Sequence, residues 1–330
     1  MFLMSTNSML ENNLLYLVSA DYDYFEKKVY LKFYDTEKQK IILWYDQKNH
    51  KPYCYSRENV MQNVRVTNNR GVSSIKIEKK KDIFKNEDID VYKIITTDPL
   101  AIGGTSNSLR NIIKAWEADI KYYANYIIDE KFQIGVPYKQ NGNEFIQTEI
   151  KLEDKLIQSI SNLIEERNSE EQKDLLTWVQ LLTSHIPSFK KVAFDLEIDT
   201  DEDLRFPMAD NPLDPISAIS FKGSDNAKIV LLLDINDEMQ SDSFDSDFTI
   251  EIFNDEKQLI ERAIEILQSY PFIITFNGDN FDVPYLNNRA IKLGIPKNKL
   301  QINLGRTDAR FKWGIHIDLY RFFLNRSIKI

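Results

Sequence analysis

Cysteine occurs once, at Cys54, so no disulfide can form within the chain. Histidine occurs three times, at His50, His185 and His316, too scattered to argue for a zinc site. Any metal must therefore be held by oxygen. The longest uninterrupted aliphatic run is IVLLL at 229–233, far short of the roughly 20 residues that a membrane helix needs. The opening residues, MFLMSTNSMLENN, lack the cationic flank and small-residue cleavage site of an export signal. A cytoplasmic chain with no membrane partner is the expectation. Positive charge is also short, because 42 Lys and Arg against 51 Asp and Glu leave a net −9. That balance is not the footprint of a protein that grips nucleic acid by its phosphates. Internal repeats and low-complexity tracts are absent as well.

What is present is enough to fold. A length of 330 residues carries a soft prior of about two domains, and 42% hydrophobic residues supply real cores. The first third alternates apolar and polar residues in YLVSADYDY, KKVYLKFYD, KIILWYD, KPYCYS and VYKIITTD, which predicts strands. The basic stretch KIEKKKDIFK reads as a solvated face. A Pro and Gly turn in TDPLAIGGTSNS precedes SLRNIIKAWEADIKYYANYIIDEKF, whose spacing predicts a helical pair. LEDKLIQSISNLIEERNSEEQKDLLTWVQLLTSHI predicts helix broken near Asn168, a connector whose stripe of Leu, Ile and Trp reads as core.

After residue 188 the pattern becomes α/β. KKVAFDLEID predicts a strand, and PISAISFKG and AKIVLLLD predict a hairpin about Gly223, Ser224, Asp225 and Asn226. NDEKQLIERAIEILQSY predicts an amphipathic helix capped by Asn254 or Asp255. FIITF predicts a short strand, NGDNFDVPYLNNRAIKLG a helix stopping at Gly294, and KWGIHIDLYRFFLNR a final strand and helix. The order fits a mixed sheet covered by helices.

Within FDLEI, Asp195 and Glu197 are two apart and share one strand face, opposite Phe194, Leu196 and Ile198. In a buried strand two such charges repel and call for a cation between them, and hard oxygen donors suit Mg²⁺ or Mn²⁺. An edge strand with both acids in water fits the same spacing. In TFNGDNFD a strand ends in an Asn-Gly turn, and Asp282 falls in the first turn of the next helix. There it could face a neighbouring strand or answer the helix dipole. Asp279 reads as a turn or capping residue.

FDLEI resembles the first exonuclease motif, and NGDNFD the second, of the 3′-5′ proofreading domain in family B DNA polymerases, most closely the archaeal ones. FNGDNFDVPYL and GIHIDLY follow that family's wording, and HKPYCYS, DPLAIGG and KAWEADIKYYANYIIDEKFQIGVPY resemble its N-terminal domain. The resemblance covers nearly the whole chain. It implies an α+β or α/β fold: a β-rich N-terminal domain at 1–150, a helical connector at 151–188 and a ribonuclease-H-like exonuclease domain at 189–330. It further implies that Asp195, Glu197 and Asp282 ligate two divalent ions, Mg²⁺ or Mn²⁺, and that Asn277 and Phe281 touch DNA. The partners implied are DNA, as primer 3′ end and single-stranded template, and the rest of a polymerase chain at the nucleoid.

The family's third motif, Tyr with Asp four residues later, does not occur before Ile330, so the chain reads as an N-terminal fragment that is weakly active or inactive as a nuclease on its own. Asp318 in GIHIDLY matches a structural strand of the family and not that motif. Archaeal relatives also carry a uracil-sensing pocket, which here would be lined by Tyr22, Pro52, Tyr53 and Tyr122, beside residues 98–100. Asn125 stands where the family has arginine, and Lys121 where it often has proline. The competing reading is a non-catalytic module that binds single-stranded template.

Overall fold

The computed structural model describes residues 14–148, 154–165, 168–183, 186–200, 206–236 and 247–324. It begins with β1 (Leu15–Asp23), β2 (Lys28–Asp35), β3 (Lys40–Tyr45), β4 (Tyr53–Ser56), α1 (Val64–Thr67), β5 (Val72–Asp82) and β6 (Glu87–Thr96). There follow α2 (Leu100–Gly103), α3 (Tyr122–Asp129), β7 (Pro137–Asn141) and β8 (Glu144–Gln147). These strands form a sheet in the order β3-β2-β1-β7-β8 and a second in the order β4-β6-β5. In the first the β1–β7 and β7–β8 ladders are antiparallel, as are both ladders of the second.

The helical pair expected over the segment from Ser108 is not formed. A single 3₁₀ turn at Leu109–Asn111 is followed by turns and irregular chain with a β-bridge at Trp116. Trp116 exchanges backbone hydrogen bonds with Tyr55 at 3.0 and 2.7 Å, and Glu117 takes a left-handed φ of 57°. This β-bridge and kink outcompete the helical periodicity, and only α3 remains.

The connector is helical, as α4 (Asp154–Ile164) and α5 (Ser169–Thr183), with the break at Asn168. Its apolar stripe is not core. Trp178 is 63% and Leu182 80% exposed. Among the residues of α4 and α5 whose burial is described, none is buried.

The remaining elements are β9 (Lys191–Ile198), β10 (Ile216–Gly223), β11 (Lys228–Leu233), β12 (Thr249–Phe253), α6 (Glu256–Gln268), β13 (Phe272–Thr275) and α7 (Asp282–Lys292). The chain continues through α8 (Lys297–Leu300), β14 (Ile302–Leu304), β15 (Ala309–Phe311), β16 (Ile315–Asp318) and α9 (Leu319–Leu324). A mixed sheet runs β12-β11-β10-β9-β13-β16. β10 is antiparallel to both β9 and β11, whereas the β11–β12, β9–β13 and β13–β16 ladders are parallel. β14 and β15 pair separately. Neither β12 nor this small hairpin is evident from the sequence, because each is short and follows a polar run.

Val192, Phe194 and Leu196 of β9 enter a core with Ile219, Phe221, Leu259, Ala263, Val283 and Leu286, which joins the sheet to α6 and α7. Asp255 caps α6, its carboxylate accepting the Lys257 amide at 3.0 Å. α7 ends on Gly294 at φ 78°, where the Ile295 amide returns to the Ala290 carbonyl. Between the two helices, Arg289 donates from Nε and Nη2 to Glu256 at 2.8 and 2.6 Å. Glu256 also accepts the Ile216 amide at 2.9 Å, so the start of β10 is fixed as well.

The chain divides into two compact units, the described parts of Leu17–Phe33 with Leu43–Gly135, and of Met1–Tyr16, Tyr34–Ile42 and Val136–Ile330. No helix among the described residues is long and apolar enough to cross a membrane.

Candidate active site

β9 lies inside its sheet, with β10 on one side and β13 on the other, so the edge-strand alternative does not hold. Asp195 and Glu197 do share a face, but that face is open: Val192, Phe194 and Leu196 are buried while Asp195 and Glu197 are exposed. The expectation that this pair is itself buried is therefore overturned. The buried carboxylate is Asp282, at 4% exposure.

The geometry follows from unequal strand lengths. β13 pairs with β9 only from Phe272↔Lys191 to Ile274↔Ala193, leaving Asp195 and Glu197 beyond its reach. The chain then turns and enters α7, whose first residue is Asp282. Pro284 is tolerated there because it sits in the first helical turn. The Asp282 carboxylate accepts a hydrogen bond from the Leu196 amide of β9, between the two acidic residues. Burial first, and the charge of Asp195 second, push the Asp282 carboxyl up to about 6, with a further upward push from Asp318.

The turn is exactingly built. Asn277 is left-handed at φ 66°, and its carbonyl accepts the Asn280 and Phe281 amides, both at 3.1 Å. Its side-chain oxygen accepts from Asn280 at 2.9 Å. A Cβ on Gly278 would come within 2.2 Å of Thr275 Oγ1, so this position admits only glycine without a shift. Phe276 projects outward at 59% exposure beside Tyr320, ring centroids 5.5 Å apart. Phe281 is half-buried and tilts against Tyr285 at 5.6 Å.

Asp318 is spent on backbone. Its carboxylate accepts the amides of Asn277 at 2.8 Å, Asp279 at 3.1 Å and Tyr320 at 2.9 Å, pinning the turn to the end of β16. Sequence reading weighed Asp318 only as a ligand or a strand residue. Its hydrogen bonds to Asn277 and Asp279 span about forty residues and leave no periodic signal.

Asp195, Glu197 and Asp282 offer oxygen only, the chemistry of a hard divalent cation. Among the described residues no three His, Cys, Asp or Glu side chains stand close enough to form a finished metal cage. What is assembled is the Asp195 and Asp282 pair, in like-charge opposition, with Glu197 on the Asp195 face. A divalent ion fits that donor set and would relieve the repulsion.

In the other unit, two of the residues expected to line a uracil pocket, Tyr22 and Tyr122, are in contact. The Tyr22 and Tyr122 rings pack edge to face at 5.4 Å, and His50 stacks on Tyr122 at 5.6 Å. The Tyr122 hydroxyl donates to the His50 carbonyl, and that of Tyr53 to Asp129 at 3.0 Å. Burial, then Asp98, pushes the Tyr22 hydroxyl up to about 12. Pro52 is buried, and its carbonyl accepts the Thr96 amide at 2.8 Å. Asn125 is buried, and Lys121 sits at the N-terminus of α3. The Tyr22 and Tyr122 rings thus pack on each other, while the Tyr122 and Tyr53 hydroxyls are taken by the His50 carbonyl and Asp129.

Known proteins resemble this chain in sequence and in fold. A family model described as "DNA polymerase family B, exonuclease domain" matches residues 113–327. DNA polymerase 1 of Sulfolobus acidocaldarius is 32% identical over 97% of this chain and 36% of its own length. The Saccharolobus solfataricus protein of the same name is 33% identical over 97% of this chain and 36% of its own. The family B DNA polymerase structure from Pyrobaculum calidifontis covers 95% of this chain and 37% of its own, at a TM-score of 0.60 and 15% identity, a likeness of fold. The chain thus spans about a third of the length of the curated relatives it matches. With 113–327 matched and the sheet, turn and carboxylates arranged as described, the chain belongs to DNA polymerase family B.

Proposed function

We propose that this chain is the N-terminal and proofreading part of a DNA-directed DNA polymerase, and that Asp195, Glu197 and Asp282 form the centre of a 3′-5′ exonuclease. The observation that supports this most is the meeting of Asp282 with the Asp195 end of β9, across a gap that β13 is too short to fill. The three carboxylates would hold Mg²⁺ or Mn²⁺, which when bound supplies an activated water and neutralises the leaving 3′-oxygen. The protein's own work is positional. β9 fixes Asp195 and Glu197 on one face, and the turn at 276–281 delivers Asp282 to the Leu196 amide beside Asp195. The open face admits a nucleotide, with Asn277 and Phe281 at its margin to contact the terminal residues of the strand. The acidic balance is consistent with DNA binding once cations occupy the centre.

Whole-chain activities of the longer relatives, including polymerisation, extend this reading. So do DNA as primer 3′ end and single-stranded template, the remainder of a polymerase chain as partner, and residence at the nucleoid. The domain limits at 150 and 188 belong to the same proposal.

The test is digestion of a 3′-mismatched primer with Mn²⁺ by this chain and by its Asp195→Ala and Asp282→Ala variants, alongside a reading frame continued through a Tyr-x-x-x-Asp segment. Metal-dependent release of the terminal nucleotide, abolished in both variants and faster in the longer chain, is expected. DNA binding that persists in Asp195→Ala with no cleavage by any form would refute the nuclease assignment and leave a template-binding module.

A further inference from the structure

Beyond the three carboxylates, an ionic cluster gathers on Asp279, whose side chain is 6% exposed. Groups from three elements converge on it. The Ala309 amide of β15 donates to Oδ1 at 2.6 Å, His316 Nδ1 of β16 lies 3.3 Å from Oδ1, and Arg321 Nε of α9 reaches Oδ2 at 2.7 Å. His316 is fixed in turn, with Nε2 at 2.8 Å from Thr275 Oγ1 and Nδ1 at 3.1 Å from the Ala309 carbonyl. Burial alone would raise the Asp279 carboxyl, but His316, Ala309 and Arg321 together hold it below the ordinary carboxylate range.

This arrangement answers a mechanical need. Between the end of β13 at Thr275 and the start of α7 at Asp282 the chain leaves the ladder, and its own backbone bonds, to the Asn277 and Gly278 carbonyls, close the turn without tying it to the rest of the fold. Asp318 holds the main chain of the turn from the β16 side. Asp279 supplies the second hold, three residues before Asp282, through a buried charge with a cation from α9. A buried carboxylate with its partners satisfied resists displacement, because breaking it strands a charge in a dry site.

We propose that Asp279 is a positioning residue: tied to His316 and Arg321, it locks the turn before α7 and so keeps Asp282 on the Leu196 amide at the Asp195 end of β9. The consequence for catalysis rests on the nuclease reading above, whereas the positioning itself does not.

Two readouts on the full chain separate these. The first needs no metal: hydrogen exchange at the Leu196 amide, which reports whether Asp282 is in place. Asp279→Asn and Arg321→Ala are each expected to speed that exchange by about tenfold while the amides of α6 keep their rates, and Arg321→Lys restores most of the protection. The second is Mn²⁺-dependent digestion of a mismatched primer, in which the same two variants lose about tenfold in kcat with KM for DNA nearly unchanged. Arg321 is 41% exposed, so its variants report even where Asp279→Asn does not fold. Leu196 exchange unchanged in Arg321→Ala, or acceleration shared equally by α6, overturns the proposal. Faster Leu196 exchange with cleavage unaffected here and in Asp282→Ala upholds the positioning and instead removes the nuclease reading.

Discussion

The Asp282 carboxylate takes the Leu196 amide, next to Asp195 along β9, and burial together with the charge of Asp195 pushes the Asp282 carboxyl up to about 6. A carboxyl whose pKa is higher folded than unfolded binds its proton more tightly in the native state. Its favourable contribution is therefore full below the ordinary value of 3.8 and is lost as pH rises through about 6. Above that pH the ionised group opposes folding by at most about 3 kcal/mol. A divalent cation supplies the missing charge, so Mn²⁺ should raise the thermal midpoint at about pH 7.5 and much less at about pH 5. Asp282→Asn should abolish the difference. An equal Mn²⁺ effect at both pH values, read by thermal melting, would count against ionised Asp282 as the ion's seat.

Gly278→Ala tests the turn itself. With Thr275 Oγ1 at 2.2 Å and Thr275 Cβ at 2.4 Å from the added carbon, the backbone must shift, at a cost of about 1–3 kcal/mol. Urea unfolding should show a lower midpoint with an unchanged slope. A midpoint like that of the parent would mean that the turn is softer than described.

Arg289→Leu should be the most destabilising of these changes. It leaves Glu256 buried with one remaining partner, the Ile216 amide, where it previously held a two-pronged guanidinium. Removing one member of such a pair costs about 3–5 kcal/mol. The double change Arg289→Leu with Glu256→Gln should recover part of that loss, as measured by a double-mutant cycle in urea.

Asp255→Ala removes the side chain that accepts the Lys257 amide at the start of α6, and should cost about 1 kcal/mol. Asp255→Asn keeps an acceptor oxygen and should lose much less. Equal losses in the two, by the same unfolding measurement, would show that charge and not capping sets the contribution.

Local chemistry made much of the second unit legible. The alternation in β9, the hairpin turn after Gly223, the Asp255 cap and the Gly294 stop are all written within a few residues, and the structure forms each one. Where a distant partner decides, the chain is less readable. Trp116 abandons a helical pattern because Tyr55, far away in sequence, offers it a bridge. Trp178 and Leu182 have the spacing of core residues but stand exposed. The shared face of Asp195 and Glu197 was legible from period two, but their exposure was not, since it depends on where β13 ends. Asp318 and Arg321 lie in a segment whose wording is familiar, yet what they grip is set by topology alone.

The brevity of β13 has one more implication. With 4 residues it stops before Asp195, and the Leu196 amide, which a longer neighbour could have taken up in its ladder, is instead claimed by the side chain of Asp282. Lengthening β13 by insertion would set ordinary sheet growth in competition with that carboxylate and evict it. A truncated ladder is thus as much a component of the proposed centre as any acid in it, and a redesign that extended the sheet would displace Asp282 while leaving all three carboxylates in the sequence.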